Sequence, residues 1–322
     1  MKVILFGSSG FVGKALLDVL VVHDHLSITC VTRNKDNTSL RTQTNLSYIE
    51  CDLLNPKIDF RSLISGYDFI INCVGEVVDE DLMESVNYKL VQSLVDCIVN
   101  NNLKIRLIQL SSVGCYGAVE ESHGHKTMIT EESQLVPHGM YEVTKARADI
   151  YIQKRLDGLD CDGSYTIIRP TIVFGPDMKN NSLRQLGVLV KKGVFFYTGK
   201  QNSIVNYIHV EDVAQSILLC IQKKLESKNQ VFIVSNDCSQ KELINGIADC
   251  FKVKKPFIRF PRRFVFFITK ILEKFSPSFP LTQSRVRYLS SQIHYSNSKI
   301  QKQLDFYPAK NVEDHICQVY EK

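Results

Sequence analysis

The sequence lacks long apolar runs, and it lacks a large excess of charge of either sign. A membrane-spanning helix needs roughly 20 consecutive apolar residues, which no segment supplies. The net charge is only +5 and the basic residues are scattered, so nucleic-acid binding is not predicted. Met1 leads directly into an apolar run, without the arrangement of a cleavable secretory signal. We therefore expect a cytoplasmic protein with no stable membrane insertion.

Metal-binding and disulfide patterns are also missing. The ten cysteines form neither Cys-x-x-Cys pairs nor the Cys/His spacing of a zinc site. Most lie in apolar stretches, as Cys30 and Cys220 do, so free buried thiols are expected rather than disulfides. His123 and His125 share a polar loop with two glutamates, which is too irregular for a metal site. No metal is predicted.

In the first half of the chain, short apolar segments typical of strands alternate with segments whose apolar residues recur at helical spacing. Strands are predicted at 2–6, 27–32, 68–73, 104–110 and 164–169, and helices at 11–22, 82–101 and 141–157. Such alternation is typical of an α/β protein with a Rossmann-type, doubly wound parallel sheet.

The second half is less regular and predicts a smaller unit. A strand at 204–209, a helix at 211–223 and a strand at 230–234 return the chain to the sheet. We therefore expect a dinucleotide-binding domain of residues 1–174 plus 204–236. A smaller α/β substrate-binding domain of residues 175–203 plus 237–322 would close over the carboxyl edge of the sheet.

Segment 257–275 interleaves basic residues with phenylalanines. We interpret it as a helix that packs an aromatic stripe on the core of the small domain. The alternative is a basic amphipathic helix on a membrane surface, and one periodic segment does not separate the two.

A glycine triplet follows the first strand and opens the first helix. Gly7 suits a tight turn, Gly10 allows close approach of a pyrophosphate, and Gly13 allows close packing of helix on strand. The free N–H groups at the helix start would bind the phosphates. The predicted contacts in this motif are Gly7, Ser9, Gly10, Phe11, Val12 and Gly13.

The residue after the second strand indicates which dinucleotide is bound. NAD-selective sites place an acid there for the ribose 2′-hydroxyl, whereas this chain has Arg33. Arg33 could pair with a 2′-phosphate, so NADP(H) is preferred and NAD(H) remains possible. Asp52 is placed where it could meet the adenine amino group, although aspartate is also common in turns.

A serine, a tyrosine and a lysine form the candidate catalytic set. Tyr141 and Lys145 are four residues apart on a predicted helix, so they share one face. An ammonium there would favour the phenolate, because a free phenol titrates near pH 10. Ser112 follows an apolar strand, where its hydroxyl could hold a substrate oxygen while Tyr141 exchanges a proton.

These motifs, in this order, resemble the extended short-chain dehydrogenase/reductase family, a group of NAD-dependent epimerases, dehydratases and reductases acting largely on nucleotide sugars. The matching pieces are Gly7–Gly13, Cys51–Leu53, Asn72–Gly75, Val86–Asn87, Ser111–Gly117, Tyr141–Lys145, Arg169–Pro176 and Tyr207–Ala214. The resemblance implies Ser112 as the catalytic serine. It also implies further cofactor contacts at Leu53, Cys73, Val74, Gly75, Asn87, Pro170, Ile172 and Val173.

Departures from the family pattern restrict the chemistry. Val113 and Gly114 replace the Asp-Glu pair of the 4,6-dehydratases, which disfavours sugar dehydration. Cys115 is one position later than in the epimerase–reductases that make GDP-fucose. Val205 replaces an arginine that clamps the substrate diphosphate in many members. The candidate substrate contacts are Ser112, Val113, Tyr141, Asn181, Arg184 and Arg285, with Lys200 as a further source of charge.

The preferred function is NADP(H)-dependent reduction of a keto group on a nucleotide-linked sugar, and a 4-epimerase is close behind. Val205 also suggests a reductase of a sterol-like or other apolar carbonyl compound. A non-catalytic dinucleotide-binding protein is the remaining alternative, although the chain keeps Ser112, Tyr141 and Lys145. The resemblance implies a homodimer through the helices near 82–101 and 141–157.

Overall fold

The computed structural model describes residues 1–34, 43–117, 127–158, 162–178, 181–199, 203–261, 263–265 and 292–321. At its centre is a seven-stranded parallel sheet, with strands numbered along the chain. They are β1 (Lys2–Phe6), β2 (Ser27–Thr32), β3 (Leu46–Glu50), β4 (Phe69–Asn72), β5 (Arg106–Leu110), β7 (Ser164–Pro170) and β12 (Gln230–Val234). The spatial order β3-β2-β1-β4-β5-β7-β12 reverses between β1 and β4. The predicted Rossmann-type sheet is confirmed.

Helices cover both faces of this sheet. They are α1 (Phe11–Leu20), α2 (Phe60–Ile64), α3 (Glu80–Met83), α4 (Leu90–Asn100), α5 (Met140–Leu156) and α7 (Val210–Gln222). Side chains alternate along β1, so Val3 and Leu5 enter one core with residues of α1 and α7. Ile4 and Phe6 enter the other core with residues of α4 and α5. Burial on both faces explains why these strands read as continuous apolar runs.

The remaining elements form short paired strands and a second group of helices. The strands are β6 (Thr127–Ile129), β8 (Ile172–Phe174), β9 (Tyr197–Thr198), β10 (Ile204–Val205), β11 (Tyr207–His209), β13 (Cys238–Ser239), β14 (Arg259–Phe260) and β15 (Ile293–Tyr295). The helices are α6 (Asn181–Lys191), α8 (Gln240–Cys250), α9 (Ser298–Leu304) and α10 (Val312–His315), followed by a 3-10 turn, Ile316–Val319. Phe174, Leu183, Ile247 and Ile316 share a separate core. The domain boundaries given above remain a prediction.

Several predicted elements differ in detail. The single strand predicted at 204–209 is two strands separated by Asn206, whose side-chain amide donates to the Ile293 carbonyl at 2.9 Å. Before Asn206, β10 pairs with β13, and after it, β11 pairs with β8. The helix predicted at 82–101 is interrupted by a π-helical turn, Glu84–Lys89. Strand β3 has no counterpart in the prediction.

The helix expected over 257–275 is wrong at 257–261, whereas residues 263–265 are helical and Val265 is buried. Arg259 and Phe260 form strand β14, which pairs in parallel with β9. Phe257, Phe260 and Phe264 are exposed rather than packed on a core. Residues 266–275 lie outside the described part of the chain.

The expectation that the cysteines are free thiols is also wrong for one pair. Cys250 and Cys317 form a disulfide between the end of α8 and the 3-10 turn at 316–319. The two residues are 67 positions apart, and their contact comes from packing of α8 against the C-terminal turns. The free cysteines among the described residues are Cys30, Cys51, Cys73, Cys97, Cys115, Cys220 and Cys238.

Candidate active site

The glycine motif lies beside the point where the strand order reverses, which is where ligands of such sheets bind. Gly7 has φ +81°, and a Cβ there would lie 3.0 Å from the Val74 backbone nitrogen. A Cβ on Gly13 would lie 2.0 Å from the Gly7 carbonyl oxygen, so α1 starts in direct contact with the turn. The Gly10 N–H donates to that same oxygen at 3.0 Å. Side chains at Gly7 and Gly13 are therefore excluded by geometry.

The start of α1 is open to an anion. Gly10 is its N-cap residue, no side chain caps this helix, and its first turn contains no acidic residue. Several N–H groups at a helix start lack partners inside the helix, and the helix dipole favours negative charge there. Ser9 is exposed, and Phe11 and Val12 are half-buried beside it. These residues fit a dinucleotide pyrophosphate.

Arg33 and Asp52 lie at the carboxyl ends of β2 and β3. Both are exposed, and the Cys51 N–H donates to the Thr32 carbonyl, which holds the two strand ends together. The Asp52 carboxylate accepts the Leu54 N–H at 3.1 Å and so forms a turn. Leu53 is half-buried in the adjoining core. Contacts of Arg33, Asp52 and Leu53 with a cofactor remain predictions.

Ser112 and Tyr141 are brought together from β5 and α5. Ser112 follows the end of β5, and its hydroxyl accepts the Gly114 N–H at 3.0 Å at the start of a 3-10 turn. The phenol of Tyr141, in the first turn of α5, lies close enough to the same hydroxyl for Ser112 to affect its pKa. One turn further along α5, the Lys145 ammonium donates to the Leu110 carbonyl at 3.0 Å. The three predicted catalytic side chains thus converge on the end of β5.

Burial dominates the titration of this set. It raises the pKa of Tyr141 to about 12, and the neighbouring Ser112 hydroxyl opposes that rise. Burial lowers the pKa of Lys145, and the nearby carboxylate of Asp149 opposes that fall. We expected Lys145 to lower the pKa of Tyr141, whereas the pKa is raised here because burial outweighs the lowering effect of Ser112.

The loop after β4 is fixed to the catalytic helix by Asn87. Its side-chain oxygen accepts the Glu76 N–H at 2.9 Å, and its amide donates to the Glu76 carbonyl at 2.9 Å. The amide also contacts the Thr144 hydroxyl at 3.3 Å. A Cβ on Gly75 would lie 3.2 Å from the Lys145 ammonium. Asn87 is therefore buried among protein partners and positions the loop, and its contact with a cofactor remains a prediction.

The other predicted cofactor contacts occupy neighbouring strand ends. Cys73 and Val74 follow β4 and are half-buried. Pro170 ends β7, and Ile172 and Val173 begin β8, partly buried next to it. These residues lie at the carboxyl edge of the sheet with Gly7 and Ser112, and their contacts with a cofactor remain predictions.

The substrate side is described only in part. Val113 is buried in a core with Tyr116. Asn181 is exposed at the start of α6, and Arg184 is half-buried one turn later. Arg285 and Lys200 lie outside the described residues.

Val205 occupies the position at which many family members have an arginine. Its side chain is 0% exposed, and its backbone pairs with Cys238. It packs in the core that contains Tyr207 and Leu243. A buried apolar side chain therefore occupies the position at which an arginine would bind the substrate diphosphate.

Behind the catalytic set lies a buried ion pair that we did not predict. The Asp149 carboxylate accepts from the Arg169 guanidinium at 2.9 Å and from the Ser111 hydroxyl at 2.8 Å. Arg169 also donates to the Tyr116 hydroxyl at 2.8 Å. The second carboxylate oxygen of Asp149 has no hydrogen-bond partner among the described residues. The spacing Tyr141-Lys145-Asp149, in steps of four on one helix, is the signal that could have identified it.

In the part of the chain that the structure describes, no group of three or more His, Cys, Asp or Glu side chains is arranged to hold a metal ion. The loop with His123 and His125 lies outside that part. Over the same described ranges, none of the helices combines the length and apolar character needed to cross a membrane.

Comparison with known proteins places this site in context. The model of the NAD dependent epimerase/dehydratase family matches residues 3–235. A UDP-glucose 4-epimerase of Vibrio cholerae is 28% identical over 77% of this chain and 75% of its own length. A decarboxylating sterol-4-alpha-carboxylate 3-dehydrogenase of Saccharomyces cerevisiae is 25% identical over 98% of this chain and 95% of its own.

The fold recurs in solved structures. That of a UDP-glucuronic acid 4-epimerase from Bacillus cereus in complex with NAD superposes with a TM-score of 0.74. It covers 99% of this chain and 97% of the other, at 16% sequence identity. At that identity the likeness concerns the fold alone.

Proposed function

Since the chain belongs to the NAD dependent epimerase/dehydratase family, we propose that it moves hydride at a carbinol or keto carbon of a nucleotide-linked sugar. The observation that carries this proposal is the placement of Ser112 at the end of β5 beside Tyr141 in the first turn of α5, with the Lys145 ammonium one helical turn later donating to the Leu110 carbonyl. A bound nicotinamide dinucleotide supplies the hydride acceptor or donor. The similarity to the UDP-glucose 4-epimerase of Vibrio cholerae supports the sugar as substrate.

Each of the three side chains has one task in this proposal. Ser112 donates a hydrogen bond to the substrate oxygen and fixes its position beside Tyr141. Tyr141 exchanges the proton of that oxygen. Lys145, held by the Leu110 carbonyl next to Gly75, binds the ribose of the dinucleotide. Tyr141→Phe should therefore abolish turnover and leave dinucleotide affinity unchanged, and full turnover in this variant would remove Tyr141 from its role.

NADP(H) is the proposed form of the cofactor. The support is Arg33, an exposed cation at the end of β2 where an acid would select NAD. Titration of NADPH and NADH into the wild-type protein should show tighter binding of NADPH, and Arg33→Glu should reverse the order. Equal or tighter NADH binding by the wild-type protein would contradict the proposal.

Reduction and epimerisation differ in how the cofactor is retained. An epimerase regenerates its dinucleotide in each cycle, whereas a net reductase must exchange it at every turnover. Native mass spectrometry of the purified protein separates the two. We favour the reductase, and therefore expect a readily exchanged site. Tightly retained NAD would favour epimerisation and overturn the assignment based on Arg33.

A second candidate substrate is a sterol-like or other apolar carbonyl compound. The observation that favours it is Val205, buried where a diphosphate-binding arginine was considered. The similarity to the yeast sterol dehydrogenase, which aligns with nearly the whole chain, also supports an apolar substrate. Nucleoside diphosphates should raise the melting temperature of the cofactor-loaded protein if the substrate is a nucleotide sugar. No shift with any of them would favour the apolar compound.

The remaining proposals concern assembly and location. We propose a cytoplasmic homodimer in which α4 and α5 of one protomer meet those of its partner. Ile150 is an exposed apolar residue on α5, and Tyr88 and Tyr151 contact each other between the helices. Ile150→Glu should convert a dimer into a monomer in light scattering. A monomeric wild-type protein would contradict the proposal.

A further inference from the structure

Segment 251–264 contains six lysines and arginines and no acidic residue. Its sequence, Phe-Lys-Val-Lys-Lys-Pro-Phe-Ile-Arg-Phe-Pro-Arg-Arg-Phe, alternates cations with aromatic rings. The site proposed above uses none of these residues. They follow α8 and include β14, at the edge of the second group of elements.

The apolar residues of this segment are exposed together. Phe257 is 75% exposed and Phe264 is 50% exposed, and Ile258 and Phe260 lie between them, also exposed. Val194, from the turn before β9, is exposed as well. We call these five residues the aromatic patch. Contiguous exposed apolar surface of this kind marks an interaction site more often than scattered single residues do.

The patch is held in shape by the neighbouring strand. The Tyr197 N–H donates to the Ile258 carbonyl at 2.8 Å, and the Gly199 N–H donates to the Phe260 carbonyl at 3.0 Å. The ring of Phe260 packs against Phe196 at 5.1 Å and against Phe264 at 5.8 Å between centroids. The rings are therefore presented on an ordered backbone and keep their spacing.

One cation contacts the patch, and others lie close to it in sequence. The Lys254 ammonium lies 5.6 Å from the centroid of the Phe257 ring, and Lys252 and Arg263 are exposed nearby in sequence. Lys192 precedes Val194 in the turn before β9. Lysines and arginines beside an apolar surface attract anionic lipid head groups, and aromatic rings favour the boundary between head groups and acyl chains.

We propose that the aromatic patch docks the protein reversibly on an anionic lipid bilayer. Two binding partners could cover the patch: an anionic bilayer or a second copy of the chain. The positive charge of the segment favours the bilayer. A two-fold contact through the patch would bring two sets of like-charged residues face to face. An anionic bilayer is complementary both to the cations and to the exposed rings. This docking is independent of the reaction proposed above.

Vesicle co-sedimentation of the full chain tests the proposal. The protein should sediment with vesicles of phosphatidylcholine mixed with phosphatidylglycerol and remain in the supernatant with phosphatidylcholine alone. Binding should fall as salt is added, because the lipid charges are screened. Absence of binding to the mixed vesicles, or equal binding to both kinds, would overturn the proposal.

Substitutions locate the docking surface. Phe257→Ser combined with Phe264→Ser should weaken binding about tenfold or more, because two inserting rings are lost. Lys254→Glu should weaken it as well and reduce its salt dependence. The matched control is Leu225→Ser, because Leu225 is 80% exposed in another lysine-rich turn. An effect of the control equal to that of the double variant would overturn the assignment. Unfolding curves like that of the wild-type protein show that each variant is folded.

Discussion

Asp149 and Arg169 form an ion pair that is almost completely removed from water, with side chains 0% and 2% exposed. Asp149→Asn keeps the shape of the side chain and removes its charge. Arg169 would then remain buried beside the Tyr116 hydroxyl, with no carboxylate to balance it. Breaking a buried pair by removing one partner costs about 3–5 kcal/mol, because the other charge stays unsolvated. We expect a loss of unfolding free energy of about that size.

Guanidinium denaturation followed by far-UV circular dichroism measures this loss, since the chain has no tryptophan to report by fluorescence. Arg169→Met should be as destabilising as Asp149→Asn. The double variant Asp149→Leu, Arg169→Met should lose less than the sum of the single losses, because neither charge is left alone. The matched control is Arg147→Met, which breaks a partly exposed pair with Glu84 and should cost less than about 1 kcal/mol.

Two results would refute this reasoning. A loss below about 1 kcal/mol for Asp149→Asn would mean that water or a rearranged partner satisfies Arg169. Strict additivity in the double variant would mean that the two residues do not depend on each other.

Three other changes have expected outcomes. Asp149→Asn should move the alkaline limb of the pH–activity profile to lower pH, because Asp149 raises the pKa of Lys145; an unchanged limb would contradict this. Gly13→Ala should abolish dinucleotide binding in calorimetry, whereas Gly139→Ala, where a Cβ has free space, should not. Cys250→Ser should cost about 2–4 kcal/mol in guanidinium denaturation, and reductant should lower wild-type stability to the same level without affecting the variant.

The sequence predicts the parallel sheet well because its strands are buried on both faces. β1, β2 and β12 lie at the predicted bounds, since a run of apolar residues between turn residues leaves little choice in where the strand begins and ends. β3 is partly exposed along its length, so its apolar pattern is weaker and the strand was not predicted. The disulfide between Cys250 and Cys317 escaped as well, because a contact across 67 residues has no local signature.

The candidate site shows the same division. Tyr141 and Lys145 are one turn apart, so helical periodicity alone places them on one face. The ion pair of Asp149 with Arg169 depends on how α5 lies against β7, which the sequence of either element does not encode. The orientation of the Lys145 ammonium toward Leu110 is likewise a product of packing.

Two consecutive residues at the end of β5 hold α5 at two points. The Ser111 hydroxyl donates to Asp149, and Ser112 lies beside Tyr141, eight residues earlier on the same helix. A shift of α5 along β5 would therefore break the hydrogen bond at Asp149 and separate Ser112 from Tyr141. Because the bond at Asp149 is reinforced by a buried guanidinium, it is costly to break. The distance between Ser112 and Tyr141 is thus controlled by charges that do not face the site, and loosening Asp149 should disturb proton transfer before it disturbs dinucleotide binding at α1.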